Sequence, residues 1–505
     1  MGGMRWLIPL LLAAVTIASE SSAWAMRWRT WCDPESGIAF RHPYMWLPQQ
    51  MHEWALDREL GGGRSSSTVT VERVVVIDGK KVMVPVTTAA VDPNALPNDL
   101  LIFSEMAANT TLEAVAEAKA KAVGKLTWEA WDYYRADPAR PHADPKQAPA
   151  GITAKLGTAK DRCVLAIQHG DRISGLVFAG AIDREHTRQV MDSFEIMLPD
   201  KAKKGAVSTW RERQFRAGKV LTADGKAIAA TKSKPVPWSQ GWEIETEHYH
   251  ITAHTSPARL LEHGAYYEAL YRTYAELYEP DKMPPLKFEV HIFDLYTDFQ
   301  SAAASFGIPI GMGGGITGGF FAPRMLSLWV YEESGKLGGP DFTVEHVSAH
   351  ECSHQFLFLA CNGKRNVPTW FNEGVAVYFE NGIFRGGKFV TQPPKERIEL
   401  LKSQYASGKR MLMAPEWYLD HHGGIDASQY GEVYAMVHFW VFGQGKEGKN
   451  RFKAYWQAMR AGEDGTEAFQ RIFLDDMIKA KGSRAAAMAA WHEAMVNYVR
   501  TNKNW

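Results

Sequence analysis

The segment His350-Glu351-Cys352-Ser353-His354 brings together residue types that can hydrolyse a polar bond. Two histidines four positions apart on a helix are offset by about 40° of rotation and about 6 Å of rise, so both imidazoles address one point. Imidazoles at that spacing suit two of the ligand positions on a zinc ion (Zn2+). Glu351 lies about 100° round the helix from His350, beside such an ion rather than on it. There its carboxylate can act as a general base toward a water that the ion activates. With 17 His in 505 residues, the pentapeptide arises by chance in roughly a few per cent of chains, so its neighbours decide what it means. Eighteen residues lie between His354 and Glu373, which sits in Trp370-Phe-Asn-Glu-Gly-Val-Ala-Val-Tyr-Phe-Glu380. A second helix beginning near Thr369 brings Glu373 up beside the histidines as a third ligand. Two His and one Glu leave a fourth position for water, which is the catalytic pattern. The competing reading is a helix with incidental histidines.

Amide hydrolysis also develops an oxyanion, for which a hydrogen-bond donor is wanted. Tyr430, Tyr434 and His438 fall four apart on one helical face. Tyr434 is the first candidate and Tyr430 the second, against a tyrosine stripe that only packs on the metal helices. His346, one turn before His350, reads either as a group behind the ligands or as a solvated side chain. Glu380, seven residues after Glu373, shares its face and reads as structural rather than as a ligand. Cys352 points to the far side of the helix as a small core residue, and Cys361 faces away from it, so the two do not bridge. His421-His422 beside Gly423-Gly424 reads as a turn. Gly313-Gly-Gly-Ile-Thr-Gly318 matches G-x-G-x-x-G in letters, but it precedes a strand rather than a helix and is no dinucleotide site. The glycine-rich run 311–319 is a loop, either a lid beside the cleft or plain surface.

Such residues need elements to hold them. Ser256-Pro257 supplies an N-cap and a first-turn proline for a helix with apolar positions at 260, 264, 267, 271, 274 and 278. Segments 245–252, 287–293 and 325–331 read as strands, and 342–360 as the helix carrying the two histidines. Segments 451–461 and 485–501 read as helices whose Trp and Phe pack against the catalytic part. Residues 199–240, rich in Lys, Ala and Gly, read as a linker. Residues 26–198 read as a small α+β domain that binds or positions. In it, 69–77 and 82–86 form a hairpin around Asp78-Gly79, Thr110 with Glu113 makes a capping box before a helix over 112–122, and 163–168 and 173–178 are strands before a closing helix over 183–194.

The first residues read as an address. Arg5 precedes an apolar run over 6–18, and Ala23-Trp24-Ala25 offers small residues at both cleavage positions, which describes a secretory signal peptide over 1–25. The apolar run is short for the alternative, a membrane anchor. The expected location is exported, periplasmic or extracellular. Cys32 and Cys163 have the chance to pair in such a compartment, and the sequence leaves that open. Four Cys exclude a disulfide-dense scaffold. Lys+Arg and Asp+Glu balance at 57 each, for a net charge of +0. This removes the long-range field a nucleic-acid binder uses, so no nucleic-acid partner is expected. Beyond the leader no apolar stretch reaches the roughly 18 residues of a spanning helix, so no stable membrane insertion is expected.

The pattern of ligands and base resembles the gluzincin metallopeptidases, especially the aminopeptidase-N-like members, with H-E-x-x-H, an 18-residue spacer and an N-E-G segment. From Trp242 onward the chain is also similar to a set of exported bacterial zincin-like proteins. The likeness covers about half the chain and is specific around 343–380. It implies a zincin-like domain over 241–505: a small mixed sheet, helices carrying the H-E-x-x-H and the Glu ligand, and a helical C-terminal part. It further implies zinc on His350, His354 and Glu373, Glu351 as general base, and an edge strand at 325–331 along which a peptide or protein substrate lies extended. Two departures matter. Val377 stands where the thermolysin branch has an Asp, so a partner for His350 must come from elsewhere. The G-x-M-E-N segment that grips a free amino terminus is not evident, which leaves endopeptidase action beside aminopeptidase action. The opening Gly37-Ile-Ala-Phe-Arg-His-Pro-Tyr-Met-Trp46, with Ser193-Phe194-Glu195, resembles the photosystem-P-like (Mog-type) α/β fold, which carries no catalytic motif. The function expected is an exported zinc-dependent peptidase. The rival is a non-catalytic zinc-binding or cell-envelope binding protein on the same fold, and against it stands the presence of the base with every ligand.

Overall fold

The structure, a computed structural model, describes residues 28–43, 69–77, 80–88, 100–107, 109–122, 124–133, 151–179, 184–200, 205–237, 240–306, 308, 310, 318–323, 325–333, 343–361, 363, 367–406, 415–420 and 424–502. The protein is α+β and divides into two compact units, 22–210 and 211–505. The expected leader, the Asp78-Gly79 turn, most of the 311–319 loop and His421-His422 lie outside the described residues. Among the described residues no helix is long and apolar enough to cross a membrane.

In the N-terminal unit, β1 (Trp28–Asp33) and β2 (Ile38–Pro43) form an antiparallel pair, and β3 (Val69–Ile77) and β4 (Lys80–Thr88) a hairpin. An antiparallel sheet follows from β5 (Leu100–Met106), β6 (Thr127–Ala130), β7 (Ile152–Thr158), β8 (Arg162–His169) and β9 (Arg172–Ala179), in the order β5-β9-β8-β7-β6. Helix α1 (Leu112–Ala120) lays Leu112, Val115 and Ala116 on Val164, Ala166 and Val177 of that sheet. Its cap is Thr111, whose side chain accepts from the Ala114 N–H at 3.2 Å, rather than the expected Thr110. Glu113 pairs with Lys155 instead of closing a capping box. After α2 (Arg184–Asp192), β10 (Glu195–Ile196) joins β2. Cys32 and Cys163 are not bridged, and the Cys32 thiol instead contacts Met197 Sδ at 3.7 Å.

Segment 199–240 is not the structureless linker its composition suggests. β11 (Leu198–Pro199) pairs β12 (Val207–Ser208), and α3 (Trp210–Arg216) follows. β13 (Lys219–Leu221) and β14 (Ala227–Ala229) then extend the main sheet of the second unit. Val220 and Leu221 are buried there, and that burial orders a segment with few other apolar residues.

The second unit is built on a seven-stranded sheet in the order β14-β13-β15-β16-β17-β19-β18. The expected strand at 245–252 is two: β15 (Trp242–Glu245) turns back antiparallel into β16 (Tyr249–Ala253). β17 (Phe288–Phe293) and β19 (Ser327–Tyr331) continue parallel to β16, all fully buried, as parallel strands covered on both faces must be. β18 (Gly319–Ala322) pairs β19 antiparallel and forms the sheet's edge. The expectation that 325–331 is the edge strand is therefore corrected. The edge is the short strand hidden at the end of the glycine-rich run, folded back on its successor. On one face, α4 (Pro257–Tyr278), capped by Ser256, packs Tyr267 against Tyr249 and sets Tyr271 edge-on to Phe288. On the other, α5 (Tyr296–Ser305) brings Phe299 to Phe293 and Tyr331.

The helices that follow carry the candidate site residues: α6 (Val344–Ala360) and α7 (Thr369–Glu380). The hairpin β20 (Ile383–Arg385)–β21 (Lys388–Val390) then leads to α8 (Lys395–Ala406), α9 (Pro415–Asp420) and α10 (Tyr430–Val441). α11 (Gly445–Ala461), α12 (Gly465–Phe469), α13 (Asp475–Lys481) and α14 (Arg484–Thr501) close the unit. Their aromatic rings make a second core, with Trp370 of α7 stacked on Tyr455 and edge-on to Phe469, which in turn meets Trp491.

Candidate metal centre

Helix α6 is fixed from three sides before its histidines do anything. Thr343 caps it by accepting from the His346 N–H at 3.2 Å. Two phenols of α4 reach across: Tyr267 bonds Ser348 Oγ at 2.8 Å, and Tyr274 donates to the Ala349 carbonyl at 2.7 Å. Gln355 Nε2 donates to the Glu289 carbonyl at 3.0 Å and ties the helix to the sheet. Val347, Cys352 and Phe356 are buried, which turns the face with His350, Glu351 and His354 outward, each of the three half-buried. Helix α7 starts at Thr369 and crosses α10 closely. A Cβ on Gly374 would lie 2.5 Å from the Val433 carbonyl oxygen and 2.6 Å from Val437 Cγ2, so only glycine at that position permits the approach.

The structure brings His350, His354 and Glu373 together, with one ligand atom of each within 4.8 Å of the others. Glu373 Oε2 lies 3.3 Å from His350 Nε2 and 3.6 Å from His354 Nε2. It is buried and accepts no well-formed hydrogen bond. The other ring nitrogens are engaged: His350 Nδ1 meets Glu380 Oε2 at 3.1 Å, and His354 Nδ1 meets Asn372 Oδ1 at 2.9 Å. These contacts occupy both Nδ1 atoms and turn both Nε2 atoms toward Glu373. Burial alone would raise the Glu373 pKa, but His354 and His350 hold it down to about 2. Burial alone would lower that of His350, but the Glu373 and Glu380 carboxylates beside its two ring nitrogens raise it to about 10. A proton and a cation thus compete for this ring.

Glu351 lies beside the cluster. Its Oε2 accepts from the Phe321 N–H of the edge strand at 2.9 Å, and burial raises its pKa above the usual carboxylate range. Of the two tyrosines, Tyr430 is the one at the site, its ring 6.0 Å from that of His350. Burial pushes its pKa up, so the phenol keeps its proton. Tyr434, the sequence's first choice, is in the core against Val377 and Ile398. The register reverses that order: Tyr430 stands at the first residue of α10, and Tyr434 one turn deeper. His346 Nε2 lies 3.8 Å from Glu380 Oε2, behind the ligands.

Three participants went unread in the sequence: Asn372, Arg397 and the role of Glu380. Glu380 supplies what Val377 does not. It is one turn beyond that position, buried, and bound to Arg397, whose Nη2 donates to Glu380 Oε2 at 3.1 Å. Burial would raise its pKa, but His350 and Arg397 hold it down. Its signal was its place seven residues after Glu373 on a shared face. No family model matches the chain, and no curated protein matches it either.

Proposed function

We propose that residues 211–505 form a zinc-dependent peptidase of the gluzincin kind, acting on peptides or proteins as an exported enzyme. What supports this most is one observation: two imidazoles with Nδ1 already bonded turn both Nε2 atoms on one buried carboxylate oxygen, at 3.3 and 3.6 Å. Two imidazole nitrogens, once the His350 proton is displaced, and one carboxylate oxygen make a donor set that fits zinc with a position to spare. His350, His354 and Glu373 would hold the ion. When bound, it polarises the scissile carbonyl and acidifies a water molecule.

The protein's own groups do the rest. The Phe321 N–H pins Glu351 Oε2, which leaves Oε1 to take the water's proton and deliver it to the departing amine. A carboxylate whose pKa is raised by burial is suited to carry that proton. Tyr430 donates its phenol hydrogen to the developing oxyanion. The substrate lies extended along β18, the outermost strand of the sheet among the described residues.

The test is Glu351→Gln. Zinc content by elemental analysis stays at the parent's level, and cleavage of a mixed peptide pool falls about 10²–10⁴-fold. A variant as active as the parent defeats the mechanism. A parent that holds one zinc per chain and cleaves no peptide of the pool favours the binding-protein rival.

A further inference from the structure

Arg397 touches neither Nε2 of the cluster, yet three separate contacts meet on it. Its guanidinium forks the Glu380 carboxylate, Nε to Oε1 and Nη2 to Oε2. Its guanidinium carbon lies 4.5 Å from the centre of the Tyr430 ring. Its own carbonyl oxygen lies 2.7 Å from where a Cβ on Gly431 would stand. The last contact sets α8 against α10 at the residue following Tyr430, so the guanidinium reaches the ring with little freedom left to the backbone. Pro393-Pro394 ahead of α8 helps fix where that helix begins.

We infer that Arg397 is a positioning residue for both halves of this site: it fixes the carboxylate that aligns His350, and it holds the ring of Tyr430 beside the ligands. The inference rests on reading the cluster as a hydrolytic metal centre. A planar fork restrains both oxygens of a carboxylate at once, so Glu380 cannot turn away and Oε2 stays at 3.1 Å from His350 Nδ1. The flat face of the same cation attracts the π cloud of Tyr430. Lysine keeps the charge but has neither fork nor face, so the exchange is not conservative here. One side chain thereby links the direction of a metal ligand to the position of the oxyanion donor.

Arg397→Lys and Arg397→Gln test this against the parent, with melting temperatures taken alongside. Zinc affinity is read by chelator competition, ligand geometry by the visible spectrum of the cobalt-substituted protein, and turnover as kcat and KM on a cleaved peptide. Arg397→Gln is expected to lose about 10–100-fold in zinc affinity. Arg397→Lys recovers part of that affinity. In both variants the cobalt bands shift, and kcat falls about 10²-fold with KM nearly unchanged. Parent-like affinity, spectrum and kcat in both variants overturn the inference while leaving the peptidase reading intact. A parent that binds zinc but cleaves nothing sinks the peptidase reading instead; affinity and spectrum then decide Arg397, a change in both supporting it and no change overturning it. Should Arg397→Gln fail to fold, Arg397→Lys carries the comparison.

Discussion

Two tyrosines one turn apart on α10 have different surroundings. Tyr430 faces His350 across 6.0 Å, whereas Tyr434 is buried among Val377 and Ile398. Removing the Tyr430 hydroxyl takes away the proposed oxyanion donor and leaves the ring that Arg397 lies over. Tyr430→Phe is therefore expected to lower kcat about 10²-fold or more, with the melting temperature close to the parent's. Tyr434→Ala instead empties an aromatic site in the core and costs about 3–5 kcal/mol of stability. Steady-state kinetics and thermal melts on the pair check this. If Tyr434→Phe lowered kcat as far as Tyr430→Phe does, the assignment of roles would be reversed.

At the scale of elements, the site depends on a crossing. Glu373 sits on α7 and Tyr430 on α10, and the two helices meet where Gly374 lies under the Val433 carbonyl. A methyl group at 374 forces the helices apart, because a carbonyl oxygen at 2.5 Å cannot move without its helix. Gly374→Ala is expected to cost about 1–3 kcal/mol and to weaken zinc binding, since the neighbouring Glu373 shifts with the backbone. Gly424→Ala, with nothing within 4 Å of its new Cβ, is the control and should match the parent. Equal chelator-competition curves for Gly374→Ala and the parent would show that the crossing does not position the ligand. The helices themselves were legible in the sequence. Ser256 announces the cap of α4, and the stripe at 260, 267, 274 and 278 is its buried face. The α+β class was legible too. What stayed hidden was set by contacts distant along the chain. Gly319–Ala322 becomes a strand only because Ser327–Tyr331 returns beside it. Asn372 and Glu380 take their roles only once α7 lies across α6. The composition of 199–240 said nothing of β13, whose order comes from its place beside β15.

Over the whole molecule, the balanced charges are partly arranged as buried networks, and one of these holds the sheet of the second unit. His250 of β16 bonds Glu289 of β17 through Nδ1 at 2.9 Å and lies 3.4 Å from Glu243 of β15 through Nε2. Arg211 meets the same Glu243 at 3.1 Å. Burial alone would lower the His250 pKa, but the carboxylates of Glu289 and Glu243 raise it from 6.5 to about 9. A group with a raised folded-state pKa contributes its stability fully below its unfolded value and loses it as pH rises through the folded value. The protonated imidazole therefore holds β15, β16 and β17 together at pH 6.5, and that contribution disappears by about pH 9.5. In thermal melts of the full chain, the parent should exceed His250→Gln in melting temperature at pH 6.5, and the difference should shrink steadily toward pH 9.5. Taking the difference removes the pH dependence of groups not coupled to His250, among them His350, His354 and Glu373, provided the two proteins are matched in metal content. A difference that stayed constant across the window, or widened with rising pH, would mean that a neutral His250 serves the sheet as well as a charged one.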